Sequence, residues 1–257
     1  MAEEPTSSRA PQTTTAAAAV ADELVRLILD QMAPGQQMPS ESELAERLSV
    51  SRLTLREAVK MVVGRGLLDV GRGRRAIVTE PSSGALTDFI ASIVLRDPRG
   101  MFDLLELRMS FEIQSATLAA RRANRAGLAA METALEGMRD AADTDAEAAF
   151  HEHDLRFHEA VALASGNRMI MFMFEAMSPT LRRGFYLSRL GLQARGSSPC
   201  DTLDSHFSIF EAIKSGSGKS AGAAMRAHLE DTERDIRAAL NGRSAGSAMR
   251  PELLRER

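Results

Sequence analysis

A mainly α fold in two parts is predicted: an N-terminal winged helix-turn-helix followed by an all-α bundle of six or seven helices. Three observations lead there. Residues 40–63 hold two short apolar-periodic segments joined by a tight turn, and a pair of short apolar runs around a basic, glycine-rich tip follows them. From residue 85 onward apolar side chains recur at helical spacing with no convincing strand. At 257 residues the chain can bury two modest cores, and with 4% aromatics, no Trp and one Tyr those cores must be packed from Leu, Ala, Val and Met.

The first segment opens on Ser40 and Glu43, three apart and just ahead of the apolar Leu44 and Leu48, the spacing of a capping box. Ser51 can cap a second helix whose buried face is Leu55, Val59 and Val62 or Val63. The opposite face carries Arg52, Thr54, Arg56 and Lys60. In a helix-turn-helix the second helix lies in the major groove of DNA with its N-terminal residues at the base edges, which places Arg52 and Arg56 for guanine or phosphate contacts. Ser51 and Thr54 are small donors suited to phosphate oxygens.

Gly66–Val70 and Ala76–Thr79 read as the strands of a hairpin, with Gly71-Arg72-Gly73-Arg74-Arg75 at its tip. Between Arg52 and Arg75 there are seven Lys or Arg against two acids, Glu57 and Asp69, although the whole chain carries a net charge of −3. Positive charge is concentrated where phosphates would lie. A basic helix and hairpin can also be a merely solvated surface, but cap, turn, helix and basic wing in this order favour a DNA reader.

Met38-Pro39-Ser40-Glu41, Leu44-Ala45, Val50-Ser51-Arg52 and Leu55-Arg56-Glu57-Ala58 together resemble the winged helix-turn-helix of GntR-family transcriptional regulators, over about residues 18–80. The resemblance implies DNA contacts at Ser51, Arg52, Thr54 and Arg56 in the recognition helix and at Arg72 and Gly73 in the wing. Two positions depart from the family pattern: Ser42 stands where an Arg is common, and Ser49 where a Gly often precedes the Val. The first departure removes one phosphate or base contact, so operator preference does not transfer from relatives.

The single Cys200 cannot form an internal disulfide, and no signal peptide or long uncharged apolar stretch is present, so a cytoplasmic protein without a membrane partner is expected. Residues 1–15 and 242–257 read as disordered tails, because they are rich in small and polar residues and lose apolar periodicity. Pro81-Ser82-Ser83-Gly84 reads as a linker. The expected domains are therefore a DNA-binding domain over 16–81 and a helical bundle over 82–241.

Candidate helices of the bundle fall near 85–95, 101–123, 126–142, 145–165, 168–194, 201–215 and 218–240. All five histidines (151, 153, 158, 206 and 228) lie in this half. Asp154 and His158, four apart, project from one helix face, and a carboxylate oxygen and an imidazole nitrogen at that spacing can share a metal ion with His206 and His228 from two later helices. From spacing alone, satisfied core or surface histidines remain an equal reading. Three imidazoles and a carboxylate suit Zn, Ni, Mn or Fe without choosing among them. His151 and His153 are expected at a helix start in solvent, either one available as a substitute donor.

Asp154-Leu155-Arg156-Phe157-His158, Ser165-Gly166-Asn167, His206 with Ala212-Ile213, and His228 resemble the FCD ligand-binding domain of the FadR-type branch of the same family, over about residues 85–240. Arg108 and Glu112 resemble its Arg-x-x-x-Glu segment. The resemblance implies a divalent metal on Asp154, His158, His206 and His228, with open positions facing a pocket for a small carboxylate. Family members that bind long acyl-CoA esters lack the full ligand set, which argues against a lipid-type effector. Arg108 is a candidate to pair with an effector carboxylate and Asn167 to donate to a hydroxyl; for Arg108 the competing reading is a surface salt bridge with Glu112 or Glu106. The expectation is a homodimeric regulator, not an enzyme: a repressor that binds a palindromic double-stranded DNA operator under control of a small organic acid. A structural or metal-sensing site and a metalloenzyme are the alternatives weighed against it.

Overall fold

The computed structural model describes residues 15–71, 74–80, 82–97 and 99–244, with side chains throughout except at 183, 186 and 241–244. Two compact units divide between Ala85 and Leu86. The N-terminal unit holds helices α1 (Ala16–Gln31), α2 (Glu41–Arg47) and α3 (Arg52–Gly64) and the short strands β1 (Leu68–Asp69) and β2 (Ile77–Val78). Its wing is antiparallel, with Leu68 opposite Val78 and Asp69 opposite Ile77, and Gln37 adds an isolated bridge to Ile77.

Local chemistry fixes these elements. Ser40 and Glu43 form the reciprocal capping box of α2, and the Ser51 side chain accepts from Thr54 N–H to start α3. Leu24 and Ile28 of α1, Leu44 of α2, Leu55, Ala58 and Val62 of α3, and Leu68 and Val78 of the wing share one core. The buried face of α3 is thus Leu55, Ala58 and Val62, whereas Val59 is half-buried and Val63 exposed. A strict four-residue step overlooked Ala58, which is fully buried on the same face one turn after Leu55. Strands are shorter than expected, two residues each.

Seven helices of the described residues form the C-terminal unit: α4 (Gly84–Arg96), α5 (Gly100–Arg122), α6 (Arg125–Asp143), α7 (Glu147–Ala164), α8 (Arg168–Ala194), α9 (Pro199–Lys214) and α10 (Gly218–Ser244). Because α10 runs to Ser244, residues 242–244 are helical rather than tail. The helix continues past Asn241 because loss of apolar periodicity removes packing, not intrahelical hydrogen bonding. The expected tails at 1–14 and 245–257, and Pro81 of the linker, lie outside the described residues.

Two apolar clusters fill the bundle. One draws on α5, α6, α7, α9 and α10 through residues such as Met138, Phe157, Ile209 and Met225, and the other on α4, α5, α7, α8 and α10 through Leu105, Leu155, Phe174 and Ile236. Helices α5, α7 and α10 serve both. Polar side chains on these shared helices therefore sit in a seam between two dry cores.

The turn between α2 and α3 places Ser49 at φ 54°, the left-handed region. An L-residue there costs about 1–2 kcal/mol, while a glycine would add about 0.4–1 kcal/mol of unfolded-chain entropy. Ser49→Gly is expected to stabilise the N-terminal unit by about 0.5–1 kcal/mol, seen as a thermal midpoint higher by a few degrees. An unchanged or lowered midpoint would mean that the turn bears no strain.

Candidate functional site

In the N-terminal unit Ser51, Arg52 and Arg56 are exposed at the start of α3, and Thr54 is half-buried. The hydroxyls of Ser51 and Thr54 lie 2.8 Å apart, so each is oriented by the other. Arg56 Nε donates to Glu41 Oε2 at 2.8 Å, with side chains 61% and 47% exposed. An ion pair so wet is worth at most about 1 kcal/mol and exchanges readily for a stronger anion. Leu53, unremarked in the sequence, is 72% exposed among these polar groups. Arg74 pairs with Asp69 on the wing. Arg72 and Gly73 lie outside the described residues.

In the C-terminal unit, α7 contributes Asp154 and His158, α9 His206 and α10 His228, all buried, with donor atoms within 4.8 Å of one another. The ring centroids of the three histidines are separated by 5.2, 5.1 and 4.3 Å. Each Nδ1 has a partner outside the cluster. His206 Nδ1 lies 2.8 Å from the carbonyl of Thr202, an acceptor only, so it carries the proton and donates. Ser205 Oγ donates to that same carbonyl at 2.7 Å, which leaves its oxygen to accept from His228 Nδ1 at 2.9 Å. His158 Nδ1 faces Glu112 Oε2 at 2.5 Å, and a carboxylate that close holds the proton on Nδ1.

With all three protons on Nδ1, the Nε2 lone pairs are left inside the cluster. His158 Nε2 and His206 Nε2 stand 3.2 Å apart, and His206 Nε2 is 2.9 Å from Asp154 Oδ1. Neither contact has a hydrogen to share in this tautomer, so the lone pairs repel unless a cation lies among them or His206 takes a second proton. Separations near 3 Å are what neighbouring ligands show around an ion bonded at about 2.0–2.2 Å. The donor set fits a divalent metal.

Glu112 closes the arrangement from α5. Arg108 Nε donates to its Oε1 at 2.6 Å while its Oε2 faces His158, with the side chains of Arg108 and Glu112 only 6% and 3% exposed. Burial alone would raise the Glu112 pKa, but Arg108 and His158 outweigh it and hold the group well below the usual carboxylate range. Burial likewise opposes ionisation of Asp154, yet His206, His158 and Arg108 bring it down to about 2. His228 is pushed well below the ordinary histidine value by burial and by its neighbours His206, His158 and Arg108, which keeps it a neutral donor.

A cavity of about 310 Å³ opens beside the cluster, walled by the ends of α6 and α8 and the starts of α7 and α9. Asp154, His228 and Arg108 line it. Arg108 is thus a buried partner of Glu112 at the cavity wall rather than half of a surface salt bridge. Asn167 is not among the lining residues; its Oδ1 accepts from Met169 and Ile170 N–H and caps α8. His151 and His153 are not in solvent. His151 lines the cavity and stacks on Phe185 at 4.9 Å, and the His153 ring packs against α6 where Gly137 leaves room for it. Both follow from helix α7 starting at Glu147 and turning these residues towards its neighbours. The partners Thr202 and Ser205, and the role of Glu112, went unread, since only helix packing brings α5 and α9 against α7 and α10.

Residues 16–78 match the bacterial regulatory proteins of the gntR family, and residues 103–231 match the FCD domain. The chain belongs to the GntR family, in the FadR-type branch that carries an FCD domain. It is a DNA-binding transcriptional regulator. Among its relatives, the Glc operon transcriptional activator of Escherichia coli K12 is 28% identical over 84% of this chain and 87% of its own. The galactonate operon transcriptional repressor of the same strain is 30% identical over 79% of this chain and 89% of its own. A solved GntR protein of Streptococcus agalactiae is 27% identical, with a TM-score of 0.62 over 85% of this chain and 99% of that one. None of the helices described in this GntR protein is long and apolar enough to cross a membrane.

Removing one member of a buried ion pair strands the other, at about 3–5 kcal/mol. Arg108→Leu is expected to lose stability on that scale in chemical denaturation, and Arg108→Leu with Glu112→Leu to recover part of it. A single variant as stable as the parent would show that the pair does not hold the seam.

Proposed function

We propose that this regulator binds a palindromic operator as a homodimer, acts in the cytoplasm where the DNA lies, and adjusts its DNA affinity to a small organic acid held at a divalent metal on Asp154, His158, His206 and His228. The observation that carries the reading is the set of Nε2 lone pairs turned on one another and on Asp154, beside a cavity that two of these residues line. A resident metal would supply a Lewis-acidic anchor for a carboxylate. Zn, Ni, Mn and Fe all suit three imidazoles and a carboxylate. Thr202, Ser205 and Glu112 would orient the imidazoles, as outer partners of metal-bound histidines do.

On the DNA side, Arg52 and Arg56 would reach base edges or phosphates and Ser51 and Thr54 phosphates, and Arg72 and Gly73 are the contacts that the family resemblance implies for the wing. Leu53 offers an apolar contact of the kind thymine methyls accept. Two recognition helices on two half-sites require two copies of the chain. A repressor is favoured, as the galactonate operon repressor among the relatives is one; that operon's name denotes a polyhydroxylated monocarboxylate. The acid can shift operator affinity only by its differential affinity for the two conformational states, with the linker near Pro81 carrying the change.

Elemental analysis of the purified chain should find one divalent metal per chain, lost in His206→Ala, and Glu112→Gln should weaken metal affinity about 10–100-fold. A metal-free chain that binds acids as well as the loaded one would defeat the metal-anchored reading. Arg52→Ala should weaken operator binding by about 1–3 kcal/mol with the fold intact; undiminished affinity would remove α3 from the groove.

A further inference from the structure

The outward face of α3 is not uniformly polar. Leu53, in its first turn, is 72% exposed and stands between Arg52 and Thr54. At about 100° per residue it lies about 170° around the helix from the mean direction of the buried Leu55, Ala58 and Val62. No residue of α3 lies more nearly opposite the core. The same outward line continues through Glu57, Lys60 and Gly64, but Lys60 Nζ donates to Glu57 Oε1 at 2.8 Å and Gly64 has no side chain. The end of the helix that carries the arginines therefore presents one large apolar side chain at its tip.

Single leucines on a surface are ordinary. This one differs in its setting, because Arg52, Arg56 and Lys60 around it suit a polyanion rather than an apolar protein face. A recognition helix enters the major groove with its N-terminal residues at the base edges, so Leu53 would meet the groove floor. Its side chain neither donates nor accepts, so the hydrogen-bonding pattern of the bases is invisible to it. The apolar group that the major groove offers is the C5-methyl of thymine. Against a cytosine the same leucine would cover an amino donor and strip it of water with no bond in return.

We propose that Leu53 determines operator specificity by packing on the C5-methyl group of one thymine in each half-site, so that this base is read by its methyl and not by hydrogen bonding. The inference rests on the placement of α3 in the major groove proposed above and adds the base and the atom that are read.

The test takes the full chain and a duplex that it selects from a random-sequence library. Each thymine is replaced in turn by deoxyuridine, which removes the methyl and keeps every hydrogen-bonding group. Fluorescence anisotropy should find one thymine per half-site at which the replacement weakens binding about four-fold, the effect of burying one such carbon. Leu53→Ala should weaken binding to the thymine duplex by a similar factor and bind the deoxyuridine duplex nearly as the parent does. Its thermal midpoint should match the parent's, since so exposed a residue adds little to the fold. If no thymine responds, or if the response persists undiminished in Leu53→Ala, the methyl is not read by Leu53 and the inference falls. Arg52→Ala separates this from a failure of the groove placement. Weakened binding by that variant, without any thymine response in the parent, removes the role of Leu53 alone; undiminished binding removes α3 from the groove and the inference with it.

Discussion

Burying ionisable groups in the seam between two apolar clusters is the constraint around which the C-terminal unit is organised. Arg108, Glu112, Asp154, His158, His206 and His228 are all buried, and every one would be costly there alone. They are tolerated because they come as a connected set. Arg108 and Glu112 tie α5 to α7 through His158, Asp154 ties α7 to α9 through His206, and Ser205 ties α9 to α10 through His228. Four helices share one polar network, so its geometry depends on their mutual packing and cannot be adjusted one residue at a time.

The same network decides what the site can offer. A histidine is a metal donor only through an unprotonated nitrogen, and the outer partners set which nitrogen that is. Thr202, Ser205 and Glu112 each fix a proton on Nδ1, from three different chemical groups, and the result is uniform: three Nε2 atoms left to the interior. Asp154 and His228 also line the cavity, so the cluster borders it directly.

The DNA-binding unit follows a different logic. Its core is apolar throughout, and its chemistry is on the surface, where Arg56 is loosely tethered to Glu41 and the hydroxyls of Ser51 and Thr54 face each other. Exposed charged side chains keep their hydration in the folded chain, so holding them there costs the fold no desolvation. Their arrangement depends only on where α3 begins, and that is set locally by the Ser51 cap and the left-handed turn at Ser49.

What the sequence determined by itself is the part governed by short-range rules. Capping boxes, turn residues and helical periodicity located α2, α3 and all seven bundle helices to within a few residues, because each depends on side chains three or four positions apart. The Asp154–His158 pair was legible for the same reason, and its likeness to a known family joined His206 and His228 to it. Tertiary structure alone decided the rest. That Arg108 and Glu112 are buried together, that Ser205 turns His228, and that His151 faces a cavity are matters of which helix packs on which. Contacts between side chains 23–48 positions apart leave no periodic trace in the chain, since the helices bringing them together are aligned by the apolar clusters on either side.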